Sequence, residues 1–249
     1  MSELGVLEAY YDTVPRSLAT VHDVGPFTLF VQQDADGWPF YARPTLGATG
    51  VTPRDVERVL AHQRRLGVPE ALEWVHQTTP DLLPAARTVG MRVEKCPLLV
   101  LRRLGAPTPA GVTTRVLQVD DDLEPVLGVV AAAFGGSDEV HPHPGGPRRA
   151  MMAAGLLRLV AAYDDDGTVI GGGSHSPRGV TTELTGIAVL PRARGRGVGA
   201  ALTTALVVDA RARGTTTCFL SAQDDAVARV YARVGFGRVG TACIAGAGP

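Results

Sequence analysis

Thr182-Glu-Leu-Thr-Gly-Ile-Ala-Val-Leu-Pro191-Arg-Ala-Arg-Gly-Arg-Gly-Val-Gly199-Ala-Ala-Leu-Thr-Thr-Ala-Leu-Val-Val-Asp-Ala-Arg-Ala-Arg-Gly214 reads as a strand, a turn, a glycine-rich loop and a helix. Leu184, Ile187, Val189 and Leu190 form a short apolar run closed by Pro191, which suits a buried strand. Val198, Leu202, Ala205 and Leu206 fall on one helical face, and Arg211 and Arg213 suit the negative end of the helix dipole before Gly214 stops it. Between the two lies Arg194-Gly195-Arg196-Gly197-Val198-Gly199. A helix start presents backbone N–H groups without internal partners, so it is an anion site, and glycine lets a large anion approach because no β-carbon intervenes. Arg194 and Arg196 add positive charge at its rim. The loop lacks the Gly-Lys-Ser/Thr ending of a P-loop, and the spacing Gly195-x-Gly197-x-Gly199 does not match the dinucleotide fingerprint Gly-x-Gly-x-x-Gly.

Size and composition bound the rest. The 249 residues allow one large domain or two of about 120. With 45% apolar and 20% charged residues, the chain can bury a substantial core. A net charge of −1 gives no general attraction to nucleic acid or membrane. Cys96, Cys218 and Cys243 are odd in number and far apart, which points to free thiols in a reducing compartment. The N-terminus has no basic region followed by an apolar one, and no apolar run reaches the ~20 residues needed to span a bilayer. A cytoplasmic protein is expected.

Along the chain, residues 2–12 read as a helix, and Phe27–Gln33 and Trp38–Ala42 as a hairpin around Asp34–Gly37. Thr52, Pro53 and Asp55 open a helix reaching Leu66. Ala71–Val75 reads as a strand, Asp81–Thr88 as a helix stopped by Gly90, and Arg92–Leu101 as a strand. Gly105–Gly111 is rich in proline and glycine and reads as a linker. Thr114–Val119 is then an expected strand, followed by a helix to Phe134, an open segment around His141 and His143, and a short helix near Pro147–Ala154. Strands are expected at Leu157–Tyr163, Thr168–Ser176, Thr216–Ser221 and Arg238–Ile244, with a helix at Asp225–Val234. Setting Gly90 on Gly235 aligns a helix end, a glycine stop and a strand in both halves, the pattern of a weak internal repeat.

Arg194-x-x-Gly197-x-Gly199, with Gly-Ile-Ala-Val-Leu-Pro before it and a helix after it, resembles the signature of the GNAT superfamily of acyl-CoA-dependent N-acyltransferases over roughly residues 112–249. The resemblance implies an α/β fold: a mixed, mostly antiparallel sheet flanked by helices, in two tandem domains. The expected boundaries are a degenerate copy at 1–106, a linker at 107–111 and a catalytic domain at 112–249. It also implies that acetyl-CoA is the cosubstrate. Arg194, Gly195, Arg196, Gly197, Val198, Gly199 and Ala200 would hold its pyrophosphate, and the backbone of Ile187, Ala188 and Val189 would pair with its pantetheine arm.

Acyl transfer to an amine requires loss of an ammonium proton, stabilisation of an oxyanion and a proton for the departing thiolate. Asp224-Asp-Ala-Val-Ala-Arg-Val-Tyr231-Ala-Arg-Val-Gly235-Phe236 resembles the family's Asn-x-x-Ala-x-x-Leu-Tyr-x-x-x-Gly-Phe, which makes Tyr231 the expected acid. Asp224 stands where that pattern has Asn, beside the pantetheine. Glu183 lies on the strand where several family members carry a general base; the alternative is a solvated hairpin glutamate. A backbone N–H near Val189 is the expected oxyanion donor. His141 and His143 lie in a segment that resembles the family's acceptor-side loop, and His175 could point into the same cleft. The alternatives are a plain surface loop for the first two and an ordinary strand position for the third. Two histidines without a further ligand make no metal site. The expected activity is acetyl transfer to a primary amine of a small-molecule or peptide acceptor by direct attack in a ternary complex, in a monomer or homodimer with no nucleic-acid or membrane partner. The alternatives are a non-catalytic acyl-CoA sensor and a transferase of a longer acyl group.

Overall fold

The computed structural model describes residues 1–33, 41–105 and 111–246. The expected turn at Asp34–Gly37 and most of the 107–111 linker lie outside these residues. The chain groups into two compact units that are not contiguous in sequence: Met1–Leu98 with Ser221–Asp225 and the residues from Arg238 on, and Leu99–Leu220 with Ala226–Gly237.

The first unit begins with α1 (Glu3–Arg16), whose Ser2 side chain caps the Gly5 N–H. The strands β1 (Ala19–Val24) and β2 (Phe27–Gln32) form an antiparallel hairpin, turned by Gly25 at φ +61°, and β3 (Ala42–Pro44) pairs on the far side of β2. β1 has no counterpart among the expected strands, because Ala-Thr-Val-His-Asp-Val carries too few apolar residues to stand out. Its edge position needs few. Next come α2 (Pro53–Leu66), β4 (Ala71–Val75), α3 (Leu82–Thr88) and β5 (Arg92–Leu101). The strand order in this unit is β1-β2-β3-β4-β11-β5, where β11 (Phe236–Gly246) is the last strand of the chain. Ala242–Gly246 of β11 pair antiparallel with β4, and Cys243 and Ala245 enter a core built on Phe27, Leu72 and Trp74.

The second unit contains β6 (Thr113–Val116), α4 (Glu124–Phe134), α5 (Arg148–Ala153), β7 (Arg158–Tyr163), β8 (Val169–Arg178), β9 (Thr181–Val189), α6 (Val198–Ala212), β10 (Thr217–Ser221) and most of α7 (Asp225–Val234). Its strand order is β10-β9-β8-β7-β6, antiparallel except for the β9–β10 pair. One order of elements therefore occurs twice. Three antiparallel strands are followed by a helix, a strand parallel to the third, a helix and a final strand: β1-β2-β3-α2-β4-α3-β5 and β7-β8-β9-α6-β10-α7-β11.

Glycines bring α4 and α6 close to β8. A Cβ on Gly172 would lie 2.5 Å from Val126 of α4, and one on Gly173 would lie 3.1 Å from Leu206 of α6. The two helices thus pack on opposite faces of one glycine run, as successive strand residues point to opposite sides.

On the α6 face a polar cluster is built into the core. His175 is wholly buried, with Nδ1 3.1 Å from Thr182 Oγ1 and Nε2 3.0 Å from Asp209 Oδ2. Arg158 and Arg213 also donate to Asp209 Oδ2, at 3.3 and 3.0 Å. Burial alone would raise the Asp209 pKa. The hydrogen bonds from His175 and Arg213 and the charges of Arg158 and Arg213 outweigh it and hold the carboxyl well below the usual carboxylate range.

Two predictions follow from this packing. Gly90 and Gly235 both follow a helix at positive φ (+86° and +113°), but a Cβ on Gly90 meets nothing within 4 Å whereas one on Gly235 would lie 1.7 Å from the Arg103 carbonyl oxygen. Urea unfolding should therefore show Gly90→Ala costing about 1 kcal/mol and Gly235→Ala clearly more. Because the folded pKa of Asp209 is depressed, its contribution is present above the unfolded value of about 4 and is lost as pH falls through the folded one. Asp209→Asn should lose about 3–5 kcal/mol at pH 7, and its deficit against the parent should shrink as the pH is lowered below 4.

Candidate active site

Glycine places the site by fixing how α6 begins. Gly195 and Gly197 both adopt left-handed conformations (φ +77° and +81°), and Gly197 is the N-cap, with no side chain to fold back on the helix. The first amide of the helix to find a backbone acceptor is that of Ala201, bonded to the Gly197 carbonyl at 3.0 Å. Among the described residues, the six N–H groups from Gly195 to Ala200 have no recorded acceptor. They line the start of a 15-residue helix, where the dipole adds positive potential.

The helix in the same place of the first unit is arranged the opposite way. At α2, Thr52 Oγ1 accepts from the Asp55 N–H at 3.4 Å, while Asp55 Oδ2 accepts from the Thr52 N–H at 3.1 Å. That capping box satisfies the helix start with the chain's own side chains and puts a carboxylate where an anion would lie. The two copies thus differ in chemistry at matching helix starts.

The strand leading to the loop is shaped by a bulge. Gly172 faces Ala188 and Ser174 faces Thr185 across β8–β9, so Gly173 is opposed by both Gly186 and Ile187. Gly186 takes φ +63°, which only glycine adopts without strain. On its other edge, β9 pairs with β10 at Thr181–Thr217, Thr182–Cys218 and Glu183–Phe219, and the register ends there. From Leu184 to Val189 β9 is therefore out of register with β10, and at the far end of this stretch the Val189 carbonyl accepts from Arg194. This stretch includes Ile187, Ala188 and Val189, the residues expected to meet a pantetheine arm.

The arginines divide into two roles. Arg194 turns back: its Nε donates to the Val189 carbonyl (3.1 Å) and its Nη2 to the Ala133 carbonyl (3.0 Å), bracing the loop against the ends of β9 and α4. Arg192 is similarly engaged, its N–H donating to Asp138 Oδ1 at 3.1 Å. Arg196 is exposed and has no recorded partner among the described residues. Of the three, it is the cation available to an incoming anion.

Tyr231 lies on α7 with its ring edge-on to Phe236, centroids 6.2 Å apart. Burial pushes its phenol up to about 12, so it stays protonated at neutral pH. No hydrogen-bond partner for the phenol is recorded among the described residues. The end of α7 is held by the Arg102 N–H on the Gly235 carbonyl (3.0 Å) and the Gly105 N–H on the Val234 carbonyl (2.9 Å). Glu183 is half-buried at the last position where β9 and β10 pair. Thr182 on one side of it bonds to His175 on the α6 face, so strand alternation puts Glu183 on the opposite face. Asp224 is exposed just before α7.

The three histidines separate. His141 and His143 are exposed; His141 lies 3.4 Å from Glu139, and His143 Nδ1 is 3.1 Å from the Pro144 carbonyl. The backbone of their loop is pinned, since the His141 carbonyl oxygen would lie 2.2 Å from a Cβ on Gly128, in the middle of α4. His175 is enclosed in the core with both ring nitrogens engaged. Its partners Arg158 and Asp209 do not figure in the sequence reading, because side chains this far apart in the chain share no spacing. No group of three or more His, Cys, Asp or Glu side chains among the described residues could hold a metal ion. No helix among them is long and apolar enough to cross a membrane.

Comparison with known proteins identifies the family and the fold. The family model described as Acetyltransferase (GNAT) family matches residues 132–236. A mycothiol acetyltransferase of Rhodococcus erythropolis is 33% identical over 197 residues, and the match spans 69% of this chain but 64% of that relative's length. One from Rhodococcus opacus is 31% identical over 282 residues, covering 96% of this chain and 90% of the relative. Among solved structures, a GCN5-related N-acetyltransferase from Kribbella flavida superimposes with a TM-score of 0.79 at 21% identity, covering 100% of this chain and 97% of that one. One from Sphaerobacter thermophilus gives a TM-score of 0.58 at 19% identity, over 90% and 81% of the two chains. These two show the same mixed α/β fold. By this match to the family model and these relatives, and with the helix start that the sequence signature implied, the chain belongs to the GNAT family of acetyltransferases.

Proposed function

We propose that the protein transfers an acetyl group from acetyl-CoA to the primary amine of a small-molecule acceptor, by direct attack within a ternary complex. The observation that carries this reading is the row of six N–H groups at 195–200 without recorded acceptors among the described residues. A pyrophosphate is an anion large enough to use several of them at once, with Arg196 at the rim. The edge of β9 beyond its last pairing with β10, up to the Val189 carbonyl that Arg194 holds, offers peptide groups to the amide-bearing pantetheine arm, as a further strand would. The thioester carbonyl then lies along this edge, where a backbone N–H near Val189 stabilises the oxyanion.

Tyr231 is the general acid. A phenol kept protonated by burial can give its proton to the departing thiolate as the tetrahedral intermediate collapses. Glu183, on the same strand as the thioester-binding edge, takes the ammonium proton directly or through water, and the freed amine attacks the thioester carbon. The acceptor class follows the relatives named mycothiol acetyltransferase. His141 and His143, in the exposed segment beyond α4, are proposed to contact it. The tandem reading assigns the coenzyme to the second copy alone, since Asp55 occupies the matching helix start of the first.

The test is release of free coenzyme A thiol from acetyl-CoA across a panel of amines that includes the unacetylated form of mycothiol. Tyr231→Phe should lower kcat by about 10²-fold while acetyl-CoA affinity by calorimetry stays within about twofold. Gly197→Ala should weaken acetyl-CoA binding by about tenfold or more, because it strains the left-handed turn that bares the amides. Acetyl-CoA binding with no thiol released by any amine would replace the enzymatic reading with that of a sensor.

A further inference from the structure

The cluster of Thr182, His175 and Asp209 raises a question of purpose. Its chain of contacts, hydroxyl to imidazole to carboxylate at 3.1 and 3.0 Å, resembles a nucleophile–base–acid relay. Thr182 and His175 are both wholly buried, however, so no substrate reaches the hydroxyl. Burying such a set costs desolvation, and apolar side chains of similar volume commonly stabilise a core at least as well. A polar cluster kept in a core under those terms acts best as a fixer of register.

The local sequence shows why register needs fixing here. β8 carries Gly171, Gly172 and Gly173 against β9, and glycine offers no side chain to distinguish one pairing from the next. β9 itself contains one residue more than β8 across the bulge at Gly186–Ile187. Losing that extra residue, a slip of one position in the pairing, would reverse which face each following side chain takes. It would also turn the peptide groups of Ile187–Val189 and shift Glu183 relative to them. The polar pins lie just before the bulge: His175 to Thr182 and Asp209 on the α6 face, and Ser174 Oγ to Thr185 Oγ1 (2.9 Å) on the other. Asp209 ties the same point to α6, the helix whose start receives the anion, and Arg158 of β7 completes the attachment. Thr182 is moreover the middle one of the three positions at which β10 pairs with β9 before the two part.

We propose that Thr182, His175 and Asp209 are positioning residues for acetyl transfer. They lock the register of β9 on β8 and α6 at the point where β9 and β10 part, and so set Glu183 and the thioester-binding edge of β9 relative to one another. The inference rests on the reading of Glu183 and this edge given above for its catalytic consequence, though the lock itself does not.

Thr182→Val tests it, because the substitution keeps volume and β-branching and removes the hydroxyl alone. With an amine that the parent acetylates, Thr182→Val should lower kcat at least fivefold while acetyl-CoA affinity by calorimetry stays within twofold. Thr182→Ser, which restores the hydroxyl, should return kcat to within twofold of the parent. Hydrogen–deuterium exchange supplies a readout that needs no activity: amides of residues 184–189 should exchange at least fivefold faster in Thr182→Val, with those of β7 unchanged. Unaltered exchange at 184–189 overturns the lock, even if the parent acetylates no amine tested. Faster exchange with kcat unchanged, or with kcat and affinity lost in equal measure, overturns the positioning role. Equal losses in the Val and Ser variants do the same.

Discussion

The candidate site in this molecule depends on a helix that does not cap itself. Most helix starts bind a serine, threonine or aspartate side chain to the first amides, as α2 does with Thr52 and Asp55. At α6 the positions before the helix are glycines in the left-handed region, and nothing folds back. The helix forgoes roughly 1 kcal/mol of capping stabilisation and leaves its first amides without a side-chain acceptor. Arg194, bonded to the carbonyls of Val189 and Ala133, holds the loop in place without covering it.

In the proposed reaction that bare helix start is useful only if the strand before it brings the reacting group to a fixed place. β9 leaves β10 after three paired positions and bulges at Gly186. Both departures weaken the sheet where geometry matters most. The compensation lies below, in Leu202 and Leu206 packed against the glycine run of β8 and in the polar cluster at Asp209. An apolar core and a buried ion network therefore support the same short length of strand, one by volume and the other by direction.

The repeated order of elements puts these features in perspective. Both copies have the parallel strand pair, and both have a helix that ends at a glycine with positive φ before the last strand. They diverge at the helix start and at the tyrosine: α3 has Ala86 where α7 has Tyr231, in the alignment that sets Gly90 on Gly235. One copy caps its helix start with its own carboxylate, and the other leaves it without a side-chain cap. The strand that ends the chain, β11, pairs with β4 of the first unit and adds Cys243 and Ala245 to its core.

Much of this was legible in local sequence. The α2 capping box, the glycine stops, the apolar faces of α4 and α6 and the loop signature all depend on residues within one or two turns of each other, where spacing and chemistry suffice. The weakly patterned edge strand β1 escaped notice, because an edge is stabilised by the partner it finds rather than by its own apolar residues. His175 shows the limit most plainly. In sequence it is a polar residue on a strand that could face a cleft, and folding places it instead against Thr182 and Asp209 in the core. Thus the sequence by itself determined which helix would present free amides, since that depends on glycine and on the absence of a capping side chain. Only the tertiary structure decided where β9 leaves β10, which arginines are available, and which histidine is buried. Those outcomes depend on contacts between residues 34 to 61 positions apart, which no local pattern encodes.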